Sequence, residues 1–329
     1  MRRELTVNIR PNYCCTPMPM PRPSPMPASP APRSPRQAMG ERHWLIDELR
    51  GTVANFAQIY FIPSAGIGVL LFALLALADL PAALSGLAAS VAASCLGIAL
   101  RLPREQRRSG LLGYNGALTG IAFGALWQPN ATFAAWLVVC VCLTVFMTVI
   151  LARHSLPALT GPFVGVMVLT WAAQPWLALL PRLGALSCDA GTPGFVFCSV
   201  GQVVFVAPLV LGLLTWYLLA LWNVRVTLWA LAAGISVWAG LAGLAIPWPA
   251  MAAQAGGIGV NAFLAALGLG VFNRRPALRF AGAALASVIC IALGQALGPL
   301  GWPYFTLPFN LAVWIVLGAT ARRRRPGAP

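Results

Sequence analysis

One eight-residue stretch occurs twice and constrains this chain more than any other feature. Leu156-Pro157-Ala158-Leu159-Thr160-Gly161-Pro162-Phe163 returns as Trp302-Pro303-Tyr304-Phe305-Thr306-Leu307-Pro308-Phe309, with both prolines, the threonine and the phenylalanine repeated. The register is 303 − 157 = 146. The same register relates Gly113-Tyr114-Asn115-Gly116-Ala117-Leu118 to Gly259-Val260-Asn261-Ala262-Phe263-Leu264, since 259 − 113 = 146, and it then brings Gly124 onto Gly270. Earlier in each half, Gln58-Ile59-Tyr60-Phe61 answers Gln202-Val203-Val204-Phe205, at 202 − 58 = 144. Separated matches in nearly one register mark a duplicated half.

Composition decides the solvent of that duplicated unit. The chain is 59% hydrophobic and 9% charged, whereas a soluble domain carries about 25% charged residues. It reads as an all-α polytopic membrane protein. Ten apolar segments, roughly 55–78, 82–100, 111–127, 132–151, 157–180, 196–221, 224–246, 252–272, 277–297 and 304–320, come near the length of about 20 residues that crosses a bilayer. Glu41 to Arg50 reads as a short interfacial helix ahead of them. With the amino-terminal tail in the cytoplasm, alternation puts Arg101, Arg104, Arg107, Arg108, Arg153, Arg225, Arg274, Arg275, Arg279 and Arg322 to Arg325 inside. Only Arg182 falls outside, which is a positive-inside pattern. The net charge of +15 is therefore an orientation signal, and no nucleic-acid partner is expected. Both termini are expected in the cytoplasm.

Ten spans in two copies give five each, and an odd number makes the second copy enter from the opposite face. The expected fold is ten transmembrane helices in a five-plus-five inverted repeat, with the Thr160 and Thr306 segments approaching the midplane from opposite sides. The expected domains are a disordered proline-rich tail over 1–40, a first repeat over 41–190, a second over 191–321 and a basic tail over 322–329.

The repeated motif has a physical meaning. Proline lacks a backbone N–H, so inside a helix Pro162 would free the carbonyl of Ala158, and Pro308 that of Tyr304. Broken backbone survives in lipid only where protein or a cavity covers it. Two matching breaks, each with a threonine hydroxyl, suggest a lined passage; ordinary proline kinks are the plainer alternative. Asn115 and Asn261 either clamp these breaks or touch a ligand. Gln58 and Gln202 place an amide in apolar surroundings, where it meets a ligand or another helix. Pro63 and Pro208 follow closely and also mark breaks. Gly116, Gly120 and Gly124, four apart, allow close helix approach.

The seven acids, Glu4, Glu41, Asp47, Glu48, Asp79, Glu105 and Asp189, all fall in the tail, in loops or at span ends. Ion-coupled carriers use ionisable groups within the membrane, so a neutral solute moving down its gradient fits better. An enzyme would need a nucleophile with a base, and neither His154 nor a central carboxylate offers one. With His43 and His154 the only histidines, no metal or other cofactor is expected. Cys188 and Cys198 could bridge if their loop faces an oxidising side.

The repeated LPxxTxPF pattern resembles the signature of the urea transporter family, whose bacterial and animal members carry it once per half. The first copy is complete; the second has Trp302 for leucine. The likeness spans about residues 50–320. It implies a urea transporter of the bacterial inner membrane that passes urea as a channel, two re-entrant half-helices beside the ten spans, and a homotrimer with one pore per protomer. It further implies that Thr160 and Thr306 line the narrow middle, that Gln58 and Gln202 flank it, and that Phe61, Phe205, Tyr114, Leu118, Val260 and Phe263 form flat slots on either side. Gln202 stands where some relatives have glutamate, and Val260 where the family often has an aromatic. Pro63-Ser64 and Ala207-Pro208 replace the Asn-Pro or Asp-Asn that often follows the glutamine motif. The alternative is a channel for another small neutral polar solute, such as ammonia, water or a short amide.

Overall fold

The computed structural model describes residues 35–182, 194–206, 208–243, 248–273 and 275–322, with side chains from 44 to 321 apart from 248–256. The chain divides into Met1–Glu41, of which only the start of the first helix is described, and Arg42–Pro329. The described residues are helical, with one isolated bridge between Trp127 and Pro181. The first half holds α1 (Pro35–Gln58), α2 (Ala65–Ala78), α3 (Leu80–Ala99), the short α4 (Arg104–Arg108), α5 (Tyr114–Leu126), α6 (Ala131–Arg153) and α7 (Gly161–Ala173). The second holds α8 (Phe195–Gln202), α9 (Leu209–Gly243), α10 (Trp248–Phe272), α11 (Pro276–Leu297) and α12 (Leu307–Arg322). Leu80–Ala99, Ala131–Arg153, Leu209–Gly243 and Pro276–Leu300 are long and apolar enough to cross a membrane, and shorter apolar helices accompany them. This is a helical membrane protein.

The two halves repeat the same local events. Asp79 separates α2 from α3 at φ −151° and ψ 91°, and Asn223 breaks α9 into two helices at φ −152° and ψ 85°. Each caps the helix that follows: an Asp79 oxygen accepts from the Ala82 N–H at 3.0 Å, and Asn223 Oδ1 from the Val226 N–H at 3.1 Å. A side-chain oxygen three residues ahead of an orphan donor is the ordinary way to start a helix. In register, Asp79 and Asn223 lie 223 − 79 = 144 apart, the spacing of the glutamine motif.

Two expected segments are corrected here. The runs 55–78 and 196–221 are not single helices: α1 stops at Gln58 and α2 starts at Ala65, while α8 stops at Gln202 and α9 starts at Leu209. Both stops have one geometry. Phe61 N–H donates to Gln58 O and Ile62 N–H to Ala57 O; Phe205 N–H donates to Gln202 O and Val206 N–H to Gly201 O. Phe61 and Phe205 stand at φ 63° and 61°. This is the helix-ending turn that ordinarily takes glycine in the left-handed position; here phenylalanine occupies it twice. Residues 41–50 are likewise not a separate helix but part of α1, which opens at Pro35, where a missing N–H costs nothing.

The core is built on α5. Eleven of its thirteen residues are buried, so it presents almost no face to lipid. Its glycines set the distance to α3: a Cβ on Gly120 would stand 2.3 Å from Ser85 O, and one on Gly124 2.5 Å from Pro81 O. At the α1 end, Arg107 joins Glu48 at 2.7 Å, both nearly buried, while Arg104 and Arg108 meet Asp47. Cys198 is disulfide-bonded; Cys188, the other half of that expectation, lies outside the described residues.

Candidate functional site

The site is assembled where α7 and α12 begin. Thr160 directly precedes α7 and Thr306 directly precedes α12. A threonine at that position ordinarily turns its hydroxyl back onto an N–H of the first turn. Thr160 makes no such bond, because the role is already filled. The second helical residue of each helix is proline, with no N–H to satisfy. The third donates to an asparagine: Phe163 N–H to Asn115 Oδ1 at 3.2 Å, and Phe309 N–H to Asn261 Oδ1 at 2.9 Å. The same asparagines use their amide N–H on the chain just before the threonines, Asn115 Nδ2 donating to Leu159 O and Asn261 Nδ2 to Phe305 O, each at 3.0 Å. Leu159 and Phe305 stand at φ 46° and 45°. Of the two roles open to Asn115 and Asn261, the geometry is that of the clamp.

Capping from outside leaves both threonine hydroxyls turned toward each other. Thr160 Oγ1 and Thr306 Oγ1 are 2.6 Å apart, and both residues are buried. Asn310, on the first turns of α12, donates from Nδ2 to Thr160 Oγ1 at 2.9 Å and to Thr306 O at 2.7 Å. Its own Oδ1 is buried and accepts from no described group, as is Gln58 Oε1. Asn310 was not among the expected site residues. Its register partner is Val164, at 310 − 164 = 146, so repetition could not reveal it.

The proline expectation needs correction in one respect. Pro162 and Pro308 lie at the starts of helices, not inside them, and Ala158 O and Tyr304 O are not freed: Gly161 N–H and Leu307 N–H donate to them at 3.0 Å each. The carbonyls that the break exposes are Leu159 O and Phe305 O, and asparagine takes both. Tyr114 adds its O–H to Leu159 O; Val260, at the same register in the other half, has no hydroxyl to give.

The aromatic residues cross between halves. Phe61 packs edge-on against Phe309, ring centroids 6.1 Å apart, and Phe205 against Phe163 at 6.5 Å. These are the same pair in the repeat, since each half's left-handed phenylalanine meets the other half's motif phenylalanine. Phe163 also meets Phe305 at 5.7 Å. Phe163 and Phe309 are thus site residues that the motif displayed but that the expected slots omitted. Leu118, Val260 and Phe263 are buried in the same continuous core as Phe163 and Phe309, joined to it by packing. Gln58 ends α1 buried, and Gln202 ends α8 half-buried.

Chemically, the Thr160 and Thr306 hydroxyls and the Asn310 amide meet in a buried cluster, with no charged side chain among their described partners. That suits a neutral hydrogen-bonding solute. Comparison with known proteins agrees. No curated protein matches the chain. The family model described as urea transporter matches residues 49–321, a span that includes every residue of the site. The chain belongs to the urea transporter family, and so is a membrane transporter of urea and not an enzyme.

Proposed function

We propose that urea crosses this protein passively, by a channel-like route through the middle of the protomer whose narrowest point is the Thr160–Thr306 pair. The observation that carries the reading is the outside capping of α7 and α12 by Asn115 and Asn261, which keeps both hydroxyls off their own helices. Two oxygens 2.6 Å apart admit nothing between them, so passage replaces the threonine–threonine bond with bonds to urea. Exchanging one hydrogen bond for another changes free energy by only about 1 kcal/mol. Binding of that strength lets the solute leave again. Gln58, Phe61, Tyr114 and Leu118 on one side, and Gln202, Phe205, Val260 and Phe263 on the other, flank the pair as amide stations and flat apolar walls.

The architecture that fits this route has α2, α3, α5, α6 and α7 as five spans of the first repeat. The two parts of α9, with α10, α11 and α12, are five of the second. The end of α1 and the eight-residue α8 are the re-entrant half-helices, and the repeats, 41–190 and 191–321, are inverted. The paired breaks at Phe61 and Phe205, and at Leu159 and Phe305, support that assignment. The protein works as a homotrimer in a bacterial inner membrane with both termini cytoplasmic; the arginine distribution supports the orientation. The test is urea flux into proteoliposomes of the purified chain. The flux saturates with urea and is unchanged when a proton or sodium gradient is imposed or abolished. Flux that follows either gradient excludes the passive route.

A further inference from the structure

The repeat allows one corner of the molecule to be compared with its counterpart, and the two differ in charge. In the first half, Arg182 Nη1 donates to both carboxylate oxygens of Asp79, at 3.0 and 2.9 Å, and also to Gly124 O. The ion pair thus closes the corner where α2 meets α3 beside the end of α5. In the second half, Gly270 takes the place of Gly124 and Val226 that of Ala82. A Cβ on Gly124 would stand 2.6 Å from the Ala82 Cα, and one on Gly270 2.8 Å from the Val226 Cγ1. A guanidinium is again present. Arg279, from the first turns of α11, lies so close that the same Cβ would stand 3.3 Å from its Cζ and Nε. The residue in the place of Asp79, however, is the neutral Asn223.

Arg279 is 3% exposed, and its Nε and Nη1 are buried and donate to no described group. Arginine stays protonated inside proteins, and a buried charge is retained only where it is paired. No described carboxylate is left for it. Asp47, Glu48 and Asp79 are each engaged by another arginine, and Glu105 lies exposed on α4. A neighbour adds charge of the same sign: Arg225 bears electrostatically on Arg279. Two guanidinium groups at one corner call for an anion with several acceptor oxygens.

We propose that Arg279, with Arg225 beside it, binds an anionic phosphate group, which fills the role that the Asp79 carboxylate plays in the first half. The corner lies at the end of α10 and the start of α11, where a lipid headgroup and a free phosphate ion present the same chemistry. This site is separate from the threonine pair, and its test does not use urea flux.

The test is the thermal unfolding midpoint of the full chain in three settings: phosphatidylcholine bilayers, the same with added phosphatidylglycerol, and phosphatidylcholine with inorganic phosphate in the buffer. The midpoint rises by several degrees with phosphatidylglycerol if a headgroup is bound, or with inorganic phosphate if the free ion is. Arg279→Met loses that rise. Asn223→Asp puts an internal carboxylate at the corner; it is more stable than the parent in phosphatidylcholine alone and loses the rise as well. Any general salting effect of phosphate appears equally in all variants and is subtracted. A parent that responds to neither addition overturns the proposal, and so does an Arg279→Met variant that responds as the parent does. If Arg279→Met does not fold, an undiminished response in Asn223→Asp overturns it.

Discussion

At the scale of single residues, the asparagines explain how the threonines come to be available. Each asparagine satisfies one N–H and one carbonyl at a break, which buried backbone in an apolar setting requires. The two are not equal. Leu159 O receives the Tyr114 hydroxyl as well as Asn115, whereas among the described bonds Phe305 O receives Asn261 alone. An unsatisfied buried group costs about 1–3 kcal/mol. Asn261→Ala therefore lowers the unfolding temperature in bilayers more than Asn115→Ala; an equal or reversed order removes the clamp argument. Phe61 and Phe205 hold left-handed backbone at roughly 1–2 kcal/mol each, a strain that glycine would relieve. Phe61→Gly relieves that strain but loses the ring against Phe309 and the core, so it should fold with lower stability and, in the folded fraction, change urea flux; unaltered flux would show the ring to be packing only. Much of this was readable in the sequence, since Thr160, Thr306, Asn115 and Asn261 all announce themselves by repetition. Asn310 did not, because its counterpart is a valine and a repeat reveals only what both copies share.

At the scale of elements, hydropathy located the apolar runs but not their interruptions. The runs 55–78 and 196–221 look continuous because the residues that end α1 and α8 are themselves phenylalanines. Pro63 and Pro208 marked the neighbourhood, yet the chain turns earlier, at Phe61 and Phe205. By contrast, the break at Asn223 falls in the short gap expected between 221 and 224, where an asparagine caps the next helix. The close approach of α5 was legible from Gly116, Gly120 and Gly124 standing four apart. Gly120 meets Ser85 O with no room for a side chain, while a Cβ on Gly240 would meet nothing within 4 Å. Gly120→Val should cost about 1–3 kcal/mol or more through overpacking and reduce the yield of folded protein. Gly240→Ala should be neutral or slightly stabilising. Matched yields and unfolding temperatures for the two variants would mean that α3 and α5 are not in fixed contact.

At the scale of the whole molecule, the two halves of the chain meet through side chains that each contributes to the other. Phe61 with Phe309, Phe205 with Phe163, Trp314 Nε1 donating to Pro157 O and Tyr60 O–H donating to Val200 O all join residues of different halves. The threonine pair is the centre of that exchange, one hydroxyl from each copy. The sequence could say that the copies exist and that their motifs are polar at matching places. It could not say that the hydroxyls touch, because contact between copies depends on how the halves dock, and docking leaves no periodic trace. The direct test is the rate of urea entry, measured by stopped-flow light scattering, for the parent and for the near-isosteric Thr160→Val and Thr306→Val in proteoliposomes with equal amounts of folded protein. Losing one acceptor at the proposed constriction should slow urea about tenfold in each variant, the equivalent of roughly 1.4 kcal/mol. Parental rates in both folded variants would contradict the account.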